Sequence, residues 1–374
     1  MSESICSIEQ LSKYVDLSHE EMKKLKRVTA RHPMKVTSYY MSLIDWSNPT
    51  DPIRKMAIPS LDELSLQGSY DTSGEVENTK LQGLQHKYSE TALILATNRC
   101  AMYCRYCFRK RLVGRRETRE IIEDFKAAVR YIRHHTEINN VLISGGDSFV
   151  LPNEIIERFL SMLSEVSHLD FIRFGSRVPV TFPSRCRDNE LLDLLAEYST
   201  PERRLLVVTQ FNHPKEITKQ SIEAVDNLIK SGVVVNNQTV LLKGVNDNPE
   251  TLAELMNRLV GIGVNPYYVF QCRPVKRVKK QFQVPICEGV NIIERAKARC
   301  NGPSKRFRYI MSHKTGKIQI MGIVDNEVYF KYHQAKNRKN LGKIFKRKIN
   351  AEAGWLDDFK LDRNKQKTLV TVHT

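Results

Sequence analysis

The sequence predicts an α/β fold: a partial (β/α)6 barrel, with an N-terminal helical region before it and a C-terminal extension after it. Three observations predict this. Six short, β-prone apolar runs recur through the middle of the chain. Amphipathic stretches with helical periodicity separate them, the pattern of parallel β/α units. The 374 residues are 41% hydrophobic, enough for one large core of roughly 200–250 residues plus flanking parts.

Taken in order, residues 1–60 read as helical. "SHEEMKKLKRVTARH" follows a Ser-type cap and carries charges at i, i+4 spacing, until Pro49, Pro52 and Pro59 interrupt the pattern. Residues 62–80, "DELSLQGSYDTSGEVENTK", are polar with two glycines and read as an irregular linker. The N-terminal region is placed at 1–88, the barrel core at 89–284 and the extension at 285–374. Strands are expected at Ala92–Ala96, Val141–Ser144, Phe171–Phe174, Leu205–Gln210, Val233–Leu241 and Asn265–Gln271. Helices are expected at Thr118–His134, Asn153–Ser167, Asn189–Tyr198, Ile217–Ser231 and Pro249–Ile262. Right-handed crossovers would curl such units into a barrel, with the chemistry at the C-terminal ends of the strands.

Composition narrows the function classes. No apolar run approaches the roughly 18–20 residues of a membrane helix. "MSESICSIEQLSKY" has no apolar signal region, so a soluble, cytoplasmic chain is expected. In a reducing compartment the eight cysteines would not form a disulfide framework. Five are scattered singly and read as small buried hydrophobes or surface thiols. The net charge of +17 is partly local: residues 331–349 carry eight Lys or Arg and no acid. They read as a solvated basic face.

The chemistry concentrates in "TNRCAMYCRYCFRKR", directly after the first run. Cys100, Cys104 and Cys107 are spaced Cys-x3-Cys-x2-Cys among Arg99, Arg105, Arg109, Lys110 and Arg111. A zinc knuckle would want a second cysteine pair, and none follows. Three close thiolates suit three corners of a [4Fe–4S] cluster, leaving one iron open to a small molecule. Neighbouring cations favour thiolates and an anionic cluster. At the end of the second run, "VLISGGDSFVL" sets Gly145 and Gly146 beside Asp147. Glycines allow close backbone approach, and a carboxylate can accept from an ammonium.

The cysteine spacing, with Tyr106 directly before the third cysteine, resembles the radical S-adenosylmethionine (radical SAM) superfamily. The resemblance implies that the open iron binds S-adenosylmethionine, whose reductive cleavage gives a 5′-deoxyadenosyl radical. It also implies that Gly145, Gly146 and Asp147 contact that cofactor. Further blocks extend the likeness: "YYMSLIDWSNPTDPIRKMAIPS", "LQHKYSETALILATNRCAMYCRYCFRKRLVG", "FIRFGSRVPVTFPSR", "TQFNHPKEIT", "NNQTVLLKGVND" and "NPYYVFQC". Over about residues 30–325 the chain is similar to the lysine 2,3-aminomutase family. The resemblance implies radical SAM chemistry combined with pyridoxal 5′-phosphate, moving an α-amino group to the β-carbon.

Carried over by position, Arg109 would grip the substrate α-carboxylate. His213 and Gln238 would line the S-adenosylmethionine side. Lys317, after Gly316 in "MSHKTGKIQIMG", would be the Schiff-base lysine, with Lys314 as its competitor. Lys87 and Tyr88 stand where the family has an Arg-Tyr pair for the cofactor phosphate. Phe270 replaces a family tyrosine. Arg273 stands where lysine-specific members have an aspartate, and the second such acid is missing near Ile310–Ser312. A cation there would repel a lysine ammonium and suit a second anion. Asn248 replaces one family zinc cysteine and none follows Cys300, so no zinc site is expected.

The expectation is therefore an aminomutase acting on a small amino acid other than lysine, such as glutamate. An external electron donor such as flavodoxin or ferredoxin would serve it, with no membrane, and a homo-oligomer is compatible with this reading. The rivals are an enzyme acting on free lysine, as for elongation factor P modification, a radical SAM enzyme without pyridoxal phosphate, and a basic RNA- or protein-binding relative. Arg273 opposes the first, and the intact cysteine and Gly145–Asp147 motifs oppose the last.

Overall fold

The computed structural model describes residues 4–115 and 118–359. Twelve strands form one sheet in chain order. They are β1 (Thr79–Leu81), β2 (Leu84–Tyr88), β3 (Thr91–Thr97), β4 (Asn140–Gly145), β5 (Phe171–Gly175), β6 (Arg204–Thr209), β7 (Val234–Leu241), β8 (Asn265–Gln271), β9 (Arg308–His313), β10 (Gly316–Val324), β11 (Glu327–Ala335) and β12 (Ile344–Lys348). Strands β3 to β8 are the six expected parallel strands, and they form the partial barrel. β9 adds a seventh in parallel. β1–β2–β3 and β9–β10–β11–β12 are antiparallel flanks, so the sheet runs through the expected boundaries at 88 and 284.

Local chemistry sets most helix ends. Asn189–Tyr198 begins after Asp188, whose carboxylate accepts from Glu190 N–H, and Pro249–Gly261 begins after Asn248, which accepts from Glu250 and Thr251 N–H. The helix expected over Thr118–His134 starts only at Phe125. Asp124 caps it, while Ile122 N–H instead bonds the Leu95 carbonyl beside the sheet (2.9 Å). Residues 331–349, expected as a solvated face, supply the end of β11 and all of β12.

The N-terminal helices share the barrel's hydrophobic core through residues such as Tyr40, Ile53 and Met56. They also brace the cysteine loop. Arg105 N–H bonds the Met56 carbonyl and Tyr103 N–H the Lys35 carbonyl, both at 2.9 Å. Below that loop Glu63, wholly buried, receives Arg105 at 2.6 Å and Lys110 at 2.7 Å. A buried acid shared by two cations holds its partners because losing any one strands a charge.

The 62–80 segment is not an unattached linker. Ser69 N–H donates to Pro274 O (2.9 Å), Arg277 N–H to Ser65 O (3.1 Å), and Arg277 itself has φ of 68°. The segment is a strap zipped to the loop after β8.

Candidate active site

The concave face of the sheet encloses a cavity of about 610 Å³. Its floor comes from strand residues such as Leu93, Leu142 and Leu206, and its rim from the loops after them. Cys100, Cys104 and Cys107 all open onto it. Burial pushes the Cys100 thiol up and the Cys107 thiol up to about 11, and each neighbouring sulfur adds to the effect. Among the described residues no three His, Cys, Asp or Glu converge as ligands of a single metal ion. A four-iron cube takes its thiolates at separate corners, wider apart than one ion's ligands, so three cysteines on one loop facing a cavity fit it.

The Gly145–Asp147 turn is built against the cysteine loop. A Cβ on Gly145 (φ 114°) would lie 2.2 Å from Thr97 O, and one on Gly146 2.2 Å from Arg99 O. The close approach these glycines permit is to the backbone leading into the cysteine loop. Gly146 N–H bonds Thr97 O and Asp147 N–H bonds Arg99 O (2.8 Å). Asp147, expected to meet an ammonium, is buried and accepts from Ser176 Oγ (2.7 Å) and from the backbone N–H groups of Arg177 (2.7 Å) and Phe149 (3.1 Å). All three residues still line the cavity.

Other expected residues divide. Gln238 lines the cavity from β7, as does Phe270 from β8. His213 is not among the lining residues. Its Nδ1 accepts from Lys215 N–H, so it caps a turn after β6. Tyr106 touches the cavity, but its hydroxyl is spent on Gln210 and Asn212 at 2.9 and 2.6 Å.

Lys317 and Lys314, three residues apart, face opposite ways. Lys317 lines the cavity with its amine 5.2 Å from the Tyr268 ring centre and 5.7 Å from that of Tyr88. Burial, with Arg173, Lys87 and Arg273 adding to it, pulls its pKa down to about 7. Lys314 is exposed, 3.8 Å from Asp357. Lys87, brought down to about 7 chiefly by burial, donates to the carbonyls of His313 (2.6 Å) and Ser73 (3.0 Å). The Tyr88 hydroxyl is buried at the cavity with no partner. An amine with a depressed pKa, a lysine and an unpaired hydroxyl fit an aldehyde cofactor carrying a phosphate.

At the other side stand the two arginines. Arg109 and Arg273 flank the Phe108 ring, their guanidinium carbons 4.6 and 4.0 Å from its centre. Arg109 donates to Ser144 Oγ and Gly145 O, each at 3.3 Å. Arg273 turns into the cavity and donates to Ser73 Oγ (2.9 Å) and Ser312 Oγ (3.1 Å). Glu75, which nothing in the polar 62–80 segment singled out, lies beside Arg109. Burial alone would raise its pKa, but Arg109, Arg111 and Arg273 hold it low. It lies 3.6 Å from Arg109 and 2.5 Å from Arg111. Arg173 and Arg177 also line the cavity without having been expected there.

Residues 94–256 match the model of the radical SAM superfamily. A protein of Aquifex aeolicus, provisionally named L-lysine 2,3-aminomutase, is 43% identical over 346 residues, 92% of each chain. The L-lysine 2,3-aminomutase of Clostridium subterminale is 38% identical over 298 residues, 79% of this chain and 70% of that one. The glutamate 2,3-aminomutase of Clostridioides difficile is 36% identical over 295 residues, 79% of this chain and 68% of that one. With its three cysteines gathered at the mouth of a partial barrel, this chain belongs to the lysine 2,3-aminomutase family of radical SAM isomerases, enzymes that use a [4Fe–4S] cluster and S-adenosylmethionine.

Proposed function

We propose that the enzyme moves the α-amino group of an acidic amino acid, such as glutamate, to its β-carbon, and that pyridoxal 5′-phosphate serves as a further cofactor held by Lys317. The observation that carries this reading is Arg273, turned into the cavity on two serine hydroxyls. A diacid would be held at its α-carboxylate by Arg109 and at its far carboxylate by Arg273, through paired N–H donors. The net change is an isomerisation: one C–N bond breaks, one forms on the adjacent carbon, and one hydrogen crosses the other way.

Glu75 is a poor partner for a lysine ammonium, because Arg109 and Arg111 already neutralise it. Lys317, brought down to about 7, would present an amine about half unprotonated at neutral pH, and Lys87 and the Tyr88 hydroxyl would donate to the phosphate. Pyridoxal phosphate, when bound, supplies the conjugated carbonyl that carries nitrogen between neighbouring carbons. The test offers glutamate, aspartate, lysine and arginine to the reduced enzyme and measures β-amino products by mass spectrometry. Glutamate or aspartate turning over best is the expected result. Lysine turning over best would defeat the reading.

A further inference from the structure

Arg177 has no part in the substrate reading, yet few side chains in the molecule are held as firmly. It is 8% exposed. Its Nε donates to Gln210 O (3.0 Å) and its Nη2 to Tyr40 Oη (3.1 Å) and Glu216 Oε1. Its Nη1 donates to Cys104 Sγ at 2.8 Å. Glu216, wholly buried, is fixed in turn. Tyr40 donates to its Oε1 (2.6 Å), and the backbone N–H groups of Asn212 (2.6 Å) and His213 (3.1 Å) donate to its Oε2. The rings of Tyr40 and Tyr106 lie 5.4 and 5.6 Å from the guanidinium carbon. Tyr40 belongs to the N-terminal helical region, so three parts of the chain converge on one cation aimed at one sulfur.

A charge this enclosed needs a reason. Glu216 alone could be satisfied by its backbone donors and Tyr40. A guanidinium N–H pointing at a sulfur gains most when that sulfur is a thiolate carrying part of a cluster's negative charge. Reducing the cluster adds one electron to it, and a nearby donor stabilises the more negative state. We infer that Arg177, positioned by Glu216 and Tyr40, hydrogen-bonds the Cys104 thiolate and raises the reduction potential of the cluster. Glu216 works against it, as a buried negative charge beside the same sulfur. The two residues therefore set the potential in opposite directions.

The experiment is an electron-paramagnetic-resonance redox titration of the reconstituted protein without S-adenosylmethionine, with iron content measured alongside. Arg177→Gln is expected to lower the potential. At a fixed applied potential the oxidised-to-reduced ratio should rise about tenfold, or about 59 mV for a one-electron couple. Glu216→Gln keeps an oxygen acceptor for the guanidinium while removing the opposing charge, and is expected to raise the potential by a similar factor. Arg177→Lys should fall between wild type and Arg177→Gln. If Arg177→Gln does not retain iron, Glu216→Gln decides alone. Unmoved potentials in iron-replete variants, or a shift of Glu216→Gln in the same direction as Arg177→Gln, would overturn the inference.

Discussion

Arg273→Asp reverses the charge at the position on which the substrate proposal rests. The site can absorb the change without collapse, because Ser73 and Ser312, which now accept from Arg273, carry hydroxyls that can donate to a carboxylate. A guanidinium and a carboxylate at about 4 Å attract by about 4 kcal/mol at an effective dielectric constant of 20. Losing one partner of a buried charge pair costs about 2–4 kcal/mol in practice, or roughly 30- to 1000-fold in kcat/KM. The new aspartate would repel the far carboxylate, placing the loss toward the upper end. The assay is kcat/KM for glutamate and aspartate in wild type and variant, with iron content confirming an intact cluster. Undiminished turnover of the acidic substrate in Arg273→Asp would refute the argument, because Arg273 would then face nothing that matters to binding.

Four other outcomes are expected. Cys104→Ala should abolish cluster binding and S-adenosylmethionine cleavage; iron content equal to wild type would contradict the ligand assignment. Lys317→Ala should lose the pyridoxal label fixed by borohydride while retaining iron, whereas Lys314→Ala should keep both. Because burial brings the Lys317 amine down to about pH 7, its neutral, nucleophilic form predominates above that pH and is lost below it. Uptake of pyridoxal phosphate should therefore rise through a midpoint near pH 7, and a midpoint near an ordinary lysine's would count against it. Gly146→Ala would force a Cβ to 2.2 Å from Arg99 O, so thermal stability should fall by about 1–3 kcal/mol and iron retention with it. Wild-type melting and iron content would show that the turn yields freely.

What could be read in advance follows the range of the forces involved. β8 and the helix Asn189–Tyr198 match their expected bounds to the residue, because apolar periodicity and a capping carboxylate mark them locally. The helix starts at Phe125 rather than Thr118 because Ile122 answers to Leu95, which lies far off in sequence. β11 and β12 are masked in the sequence because cations at Lys331, Lys346 and Arg347 hide the burial of Val328 and Phe330 in β11. His213 follows the cavity residue Gln210 by three positions, yet it lies in the loop after β6, where its ring caps a turn. Glu75 and Ser73 carry no local signal, since contacts distant in sequence, such as Ser69 with Pro274 and Glu75 with Arg111, hold them at the cavity.

Those contacts bear on how specificity is built. Arg273 alone does not make the cavity cationic: Arg109 and Arg173 share it. The acids there are Glu75 and Asp147, and each already has donors or cations from the protein. A single aspartate at 273 removes one attraction but leaves this surplus of positive charge in place. Loss of an acidic substrate therefore takes one substitution, while gain of lysine requires at least a second acid beside the first, for which Ser312, 3.1 Å from the Arg273 guanidinium and within the Ile310–Ser312 stretch, is a position on the present geometry. The double variant Arg273→Asp, Ser312→Asp should accordingly bind lysine better than either single variant, with a coupling that exceeds the sum of the two, because the pair shares one ammonium. Strictly additive effects would mean that the two positions do not face the same end of the substrate.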